Sequence, residues 1–118
     1  MSQYECIETD TVEDVSVVKF VDERMMDAAR IEQLGSELID AVSGDDKERI
    51  VINFENVSFF SSAAVSKLLV AEKRIRSQGG QLRLSNLRPE VRDVFSLTKL
   101  DSVFRIEEEQ DAAIKTLQ

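Results

Sequence analysis

The stretch from Ile50 to Gln81 limits this chain more than any other, because it crosses from sheet to helix and back. The run Ile50-Val51-Ile52-Asn53-Phe54 is apolar and rich in β-branched residues, with almost no alternation, which suits a strand covered on both faces as in parallel sheets. A short connection follows, and Ser61-Ser62 opens a helical pattern that places Val65, Leu68, Leu69 and Ile75 on one side and Ser66, Lys67, Lys73 and Arg74 toward the other. Gly79-Gly80 stops the helix, and Gln81 to Ser85 is the next strand. Strand, crossover helix and parallel strand make a βαβ unit, and in open α/β sheets sites gather where strands hand over to helices. Ser62 stands at that point. Its hydroxyl is either a cap for the helix or an acceptor of phosphate, since a helix N-terminus favours negative charge.

The rest of the chain supplies partners for this unit. Tyr4 to Thr9 and Val15 to Phe20 read as strands, joined through the polar Asp10 to Asp14 as an antiparallel hairpin. Val21 to Met26 has neither period and reads as a loop. Asp27 is placed to cap a helix whose apolar residues recur as Ala28, Ile31, Leu34, Leu38, Ile39 and Val42; Arg30, Glu32, Gln33 and Glu37 form its wet face. Gly44 is expected to close that helix in a left-handed conformation, and Asp45 to Glu48 to return the chain through solvent. Pro89 starts a short helix with Val91, Val94 and Phe95 inward; Val103 to Ile106 is a last strand, and Asp111 to Leu117 a last helix. With 118 residues, the expectation is one α/β domain over 1–118 with a mixed, mostly parallel sheet, an antiparallel N-terminal strand and about four helices.

Composition excludes several functions. A net charge of −8 argues against nucleic acid, whose phosphates need clustered Lys and Arg. The absence of histidine removes the commonest general base and metal ligand, so neither catalytic nor metal-binding residues are assigned, and no cofactor is expected. A single cysteine, Cys6, excludes an internal disulfide and reads as a small buried hydrophobe. No apolar run approaches the length of a membrane span, and Met1 to Glu5 lacks the features of a signal peptide, so the expected location is the cytoplasm.

Several of these residues resemble, at the right spacing, the STAS domain of bacterial anti-sigma factor antagonists. That family has an apolar strand followed by Asp or Asn, a phrase like V-x-F-x-D-S-S-G-L turning into a helix, a G-G stop, and a proline-started helix with an aromatic near its end. Here Asn53, the phrase Val57-Ser58-Phe59-Phe60-Ser61-Ser62-Ala63-Ala64-Val65, Gly79-Gly80, and Pro89 through Phe95 fill those places, and the similarity is clearest over 27–106. The resemblance implies a partner switch. The unphosphorylated domain binds an anti-sigma factor that is also a serine kinase, frees a sigma factor for transcription, and is switched off when that kinase phosphorylates it; a phosphatase is a further partner. The family's acceptor position is Ser62. Asp27, Phe60, Ser61, Ser62, Ala63, Ser66 and Lys67 are then assigned to the partner surface; of the two aromatics flanking the site, one is expected in the core and one as an exposed anchor. Two positions depart from the pattern. The family's aspartate before the acceptor is Ser61, which becomes an alternative acceptor, and its glycine two residues after the acceptor is Ala64, a methyl on what would be a partner-facing side. These departures keep open a second reading, a phosphorylation-independent STAS scaffold or transporter subunit.

Overall fold

A computed structural model describes residues 3–44 and 46–118. The hydrophobic strand in the middle of the sequence lies in the middle of the sheet. Strands β1 (Ile7–Val12), β2 (Val15–Phe20), β4 (Arg49–Asn53), β6 (Gln81–Ser85) and β7 (Arg105–Glu107) form one sheet in the order β1-β2-β4-β6-β7. The β1–β2 pair is antiparallel and the other three pairs are parallel. Two short strands, β3 (Arg24–Met25) and β5 (Phe59–Phe60), pair separately and parallel to each other. Helices α1 (Ala28–Val42), α2 (Ser62–Ser77), α3 (Pro89–Leu97) and α4 (Gln110–Thr116) complete the fold.

Helices on both faces explain why β4 does not alternate. Ile50 and Ile52 face the main core with Val18, Phe20, Leu34, Leu38, Leu68 and Ile75, while Val51 faces a smaller core of Val15, Val17, Ala113, Ile114 and Leu117 under α4. Every residue from Ile50 to Phe54 is buried. At the end of the main core five of the aromatic rings touch in series. Phe20, Phe54 and Phe60 form a triangle with centroids 4.9, 5.4 and 5.2 Å apart, and Phe95 and Phe104 extend it at 6.0 and 5.7 Å. Edge-to-face packing of this kind adds to area burial and ties α3 to the end of β4.

Four elements differ from expectation. β1 begins at Ile7, not Tyr4, and runs to Val12, and the turn is only Glu13-Asp14, both at positive φ (50° and 68°), as a two-residue hairpin requires. Glu8, Thr9, Asp10 and Thr11 are polar because this edge strand is exposed on both faces, so its composition resembles a turn. The expected loop at Val21 to Met26 contains β3, with Met25 fully buried and Met26 exposed. Helix α1 ends at Val42 with Ser43 extended and its hydroxyl donating back to the carbonyl of Ile39 at 2.5 Å; Gly44 follows at the expected positive φ (137°), one residue beyond this cap. The last strand is shifted to Arg105–Glu107, leaving Val103 exposed. The expected solvent return includes Asp45, which lies outside the described residues, as do Met1 and Ser2; Asp46 and Glu48 are exposed.

The wet face of α1 has a structural task. The Glu37 carboxylate accepts from the amides of Cys6 (2.8 Å) and Glu5 (3.1 Å), and Arg30 donates to Asp22 (2.7 Å) and to the Glu5 carbonyl (2.9 Å). These contacts hold the segment before β1 against α1 and seal Cys6, as expected for a core residue; burial, then the Glu37 charge, push its thiol up to about 11. Burial would raise the Glu37 carboxyl as well, but the two amides and Gln33 outweigh it and hold it below the usual glutamate range. A carboxyl lowered on folding stabilises the protein above its unfolded value of about 4.3 and loses that contribution as pH falls through the lower folded value. Glu37→Ala, which leaves the amides of Glu5 and Cys6 without this acceptor, is expected to cost about 1–2 kcal/mol at neutral pH. The part of that loss contributed by the carboxylate charge should fade as pH falls below about 4, which urea titrations across pH would measure.

Candidate functional site

The two short strands assemble the site. Glu23 accepts from the amide of Ser58 (2.8 Å) and Met25 accepts from that of Ser61 (3.1 Å), so the segment entering α1 is stitched to the segment entering α2. The stitch sets the start of α1, capped by Asp27, beside the start of α2, capped by Ser61. The Asp27 carboxylate accepts from the Arg30 amide at 2.9 Å, and the Ser61 hydroxyl accepts from the Ala64 amide at 3.3 Å. The cap of α2 is therefore Ser61. Ser62 is the first helical residue, it is exposed, and its hydroxyl has no protein partner among the described residues. The first turn of α2 contains no acidic residue, so nothing offsets the positive end of its dipole there.

The structure separates the expected partner residues into two groups. Asp27, Ser62, Ala63 and Ser66 are exposed on this edge of the molecule, with the half-buried Ser61 among them; the Ser66 hydroxyl donates back to the Ser62 carbonyl at 3.2 Å. Phe60 is a correction. It is 2% exposed inside the aromatic triangle, and the outward ring is Phe59, 39% exposed under the Arg24 guanidinium at 5.2 Å. In a two-residue strand adjacent side chains point to opposite faces, so one of the two had to turn inward, and pairing with β3 selects Phe60. Ala64 is a second correction, because its methyl is fully buried and faces α1 and the sheet, not a partner. Its place in the series Ala64, Leu68, Ala71, Ile75 is a helical period legible in the sequence.

Lys67 lies partly across α1, with its ammonium 2.9 Å from Glu32 and its stem over Gly35. A Cβ on Gly35 would stand 2.7 Å from Cδ of Lys67, so glycine in the middle of α1 makes room for this lysine. Periodicity alone did not expose that use of Gly35; the only signal was a helix interior that accepts a residue about 1 kcal/mol worse than alanine. Beyond Lys67 the two helices bound a groove of about 560 Å³ with Ser36, Ile39 and Val70 on its walls.

The arrangement holds an exposed, uncapped hydroxyl at an electropositive helix start, surrounded by small side chains and one exposed ring. It can bind a protein surface, and it can accept a phosphoryl group without losing a structural contact. Ser61→Ala is expected to cost about 1 kcal/mol through loss of the cap. Ser62→Ala should change stability by less than about 0.5 kcal/mol; denaturant midpoints of the two variants would check the assignment.

Residues 7–113 match the model of the STAS domain family. BtrV of Bordetella bronchiseptica, assigned as an anti-sigma factor antagonist, is 32% identical over 89 residues, covering 75% of this chain and 76% of BtrV. Among solved structures, an anti-sigma factor antagonist (STAS) domain protein from Planctomyces limnophilus superposes with a TM-score of 0.85 at 25% identity, covering 95% of this chain and 97% of that one. The anti-sigma factor antagonist SpoIIAA in its unphosphorylated form shares the fold with a TM-score of 0.74 at 24% identity over 93% of this chain and 95% of its own. SpoIIAA of Bacillus is also known in a phosphorylated form, which superposes at 0.68 with 22% identity over 93% of this chain and 98% of that one. The chain belongs to the STAS domain family, among relatives named as anti-sigma factor antagonists.

Proposed function

We propose that this protein is an anti-sigma factor antagonist whose binding is switched by phosphorylation of Ser62. Its partner is an anti-sigma factor that is also a serine kinase, and binding releases a sigma factor in the cytoplasm. The observation that carries this reading is the exposed Ser62 hydroxyl, free of the capping duty that Ser61 performs, at the start of α2. The relatives' names support the class of partner, and the existence of SpoIIAA in an unphosphorylated and a phosphorylated form supports phosphorylation as a switch compatible with this fold.

The physical account is local. A phosphate on Ser62 adds about −1.5 to −2 charges beside backbone amides that lack intrahelical acceptors, so the helix end tolerates it and the fold need not move. The partner meets the new charge and bulk directly, at a surface otherwise made of Asp27, Ala63, Ser66, Lys67 and the Phe59 ring. Ser61 is the weaker acceptor because its hydroxyl is half-buried and already accepts from the Ala64 amide. A phosphatase would restore the binding form.

Incubation with a cognate anti-sigma factor kinase and ATP is expected to add one phosphate, read by intact mass and peptide mapping. Ser62→Ala should abolish the gain, and Ser62→Asp should weaken binding to the kinase by about tenfold or more, since a like-charged or unpaired group at an interface costs several kcal/mol. Uptake that persists in Ser62→Ala moves the acceptor to another hydroxyl. A partner that is not a kinase, bound equally by Ser62→Asp, would replace the switch with the scaffold or transporter-subunit reading.

A further inference from the structure

Charge is divided unequally along this chain, and the sheet order turns that division into a spatial one. Up to Glu48 the sequence has fourteen acidic residues against four basic; from Arg49 onward it has nine acidic against eleven basic. Because β1 and β2 lie at one end of the order β1-β2-β4-β6-β7, the acids Glu8, Asp10, Glu13 and Asp14 of that half stand at one edge of the molecule. Among the described residues no strand lies outside β1.

The hydrogen bonds show which main-chain groups that edge presents. Cys6 accepts from the Val21 amide across the hairpin at 2.9 Å, which directs even-numbered residues of the segment toward β2. Thr9 and Thr11, both exposed, therefore direct their amides and carbonyls outward to solvent, whereas Ile7 in the same register is fully buried. The Thr11 amide is occupied by the carboxylate of Asp10 at 2.8 Å, an internal substitute for a strand partner. Glu8 and Asp10 stand on the α4 face of β1. Lys19, the cation directly across from Glu8, is turned to Glu55 at 2.6 Å, so neither acid has a cationic partner among the described residues.

Both flanks of the edge are open. On the α1 side Thr9, Thr11, Ser16 and Ala41 line a groove of about 390 Å³, and on the α4 side Glu8, Asp10 and Gln110 line one of about 360 Å³. A strand laid along β1 would direct alternate side chains over these two flanks, one of mixed charge with Asp40 and Lys47 on its walls and one carrying the unpaired Glu8 and Asp10.

We propose that β1 is a docking strand for an extended, basic segment of a partner protein, which adds to the sheet edge with Lys or Arg at alternate positions over Glu8 and Asp10. This surface is separate from the Ser62 edge and does not rest on the switch. Natural sheets blunt free edges with charge to prevent unwanted pairing. Here the charges are of one sign and unpaired, so they repel a second copy of this acidic edge while attracting a basic strand.

The test uses the full chain, ¹⁵N-labelled, with an acetylated and amidated peptide of about ten alternating lysines and threonines, long enough to run beside a strand of ordinary length. Two further peptides have N-methyl groups on all the lysines or all the threonines, so that one of them lacks the N–H groups facing β1. Saturable binding is expected, with slowed exchange of the Thr9 amide, and one N-methylated peptide should fail to bind. Glu8→Lys with Asp10→Lys should weaken the parent peptide by about tenfold, and Ser62→Asp should leave it unchanged. Equal binding by both N-methylated peptides would show adhesion by charge alone and overturn the proposal. So would slowed exchange confined to other surfaces, or protection of β1 by self-association without peptide.

Discussion

The structure depends on β4 being dry on both sides. A central strand with Ile50 and Ile52 committed to one core and Val51 to the other needs helices on both faces of the sheet, and the remaining chain is long enough to supply three to one face and one short helix to the other. Parallel neighbours on each side of β4 force crossovers through α1 and α2, and both of those helices begin at the same edge of the molecule. The site is thus a consequence of burial at β4, although no site residue belongs to that strand. Buried polar groups mark where the strand leaves the core. Asn53, 3% exposed, accepts from the Glu55 amide at 2.8 Å and donates to Gln110 at 2.9 Å, so it turns the chain toward the site and anchors α4 in one step.

What brings two helix starts into one surface is the small pairing of β3 with β5. It has only two residues on each side, yet it turns Phe60 into the aromatic core and leaves Phe59 outside, and it fixes Ser61 through the Met25 carbonyl. A strand this short has no period to detect, and its partner is over thirty residues away. For that reason the sequence pattern identified the serine pair, Asp27 and both helices, but not which aromatic faces outward. The distinction between Ser61 as cap and Ser62 as first helical residue is likewise a matter of one position, and a pair of serines offers no local signal to choose between them.

The long elements were legible because their apolar spacing and stop signals agree. Pro89 begins α3, and Gly79-Gly80 ends α2 with two reverse bonds, Gly80 to Ile75 at 2.9 Å and Gly79 to Arg76 at 3.0 Å. The polar edge strand was harder to read, since Glu8 to Thr11 resemble a turn unless one knows that both faces of β1 are open. The roles of Glu37 and Arg30 were invisible in sequence, because their partners lie before β1, at Glu5 and Cys6, and after β2, at Asp22, and become neighbours only after α1 packs on the sheet.

The far end of α2 carries a consequence of its own. A side chain at Gly80 would press on the carbonyls of Lys47 and Glu48, at 3.1 and 3.2 Å, so the helix terminus is seated directly on the main chain that leads into β4. With Ser61 fixing its other terminus, α2 cannot slide or rotate without disturbing the central strand. Displacement of the helix as a body is therefore opposed at both ends, and a change on its exposed face is met first by whatever touches that face.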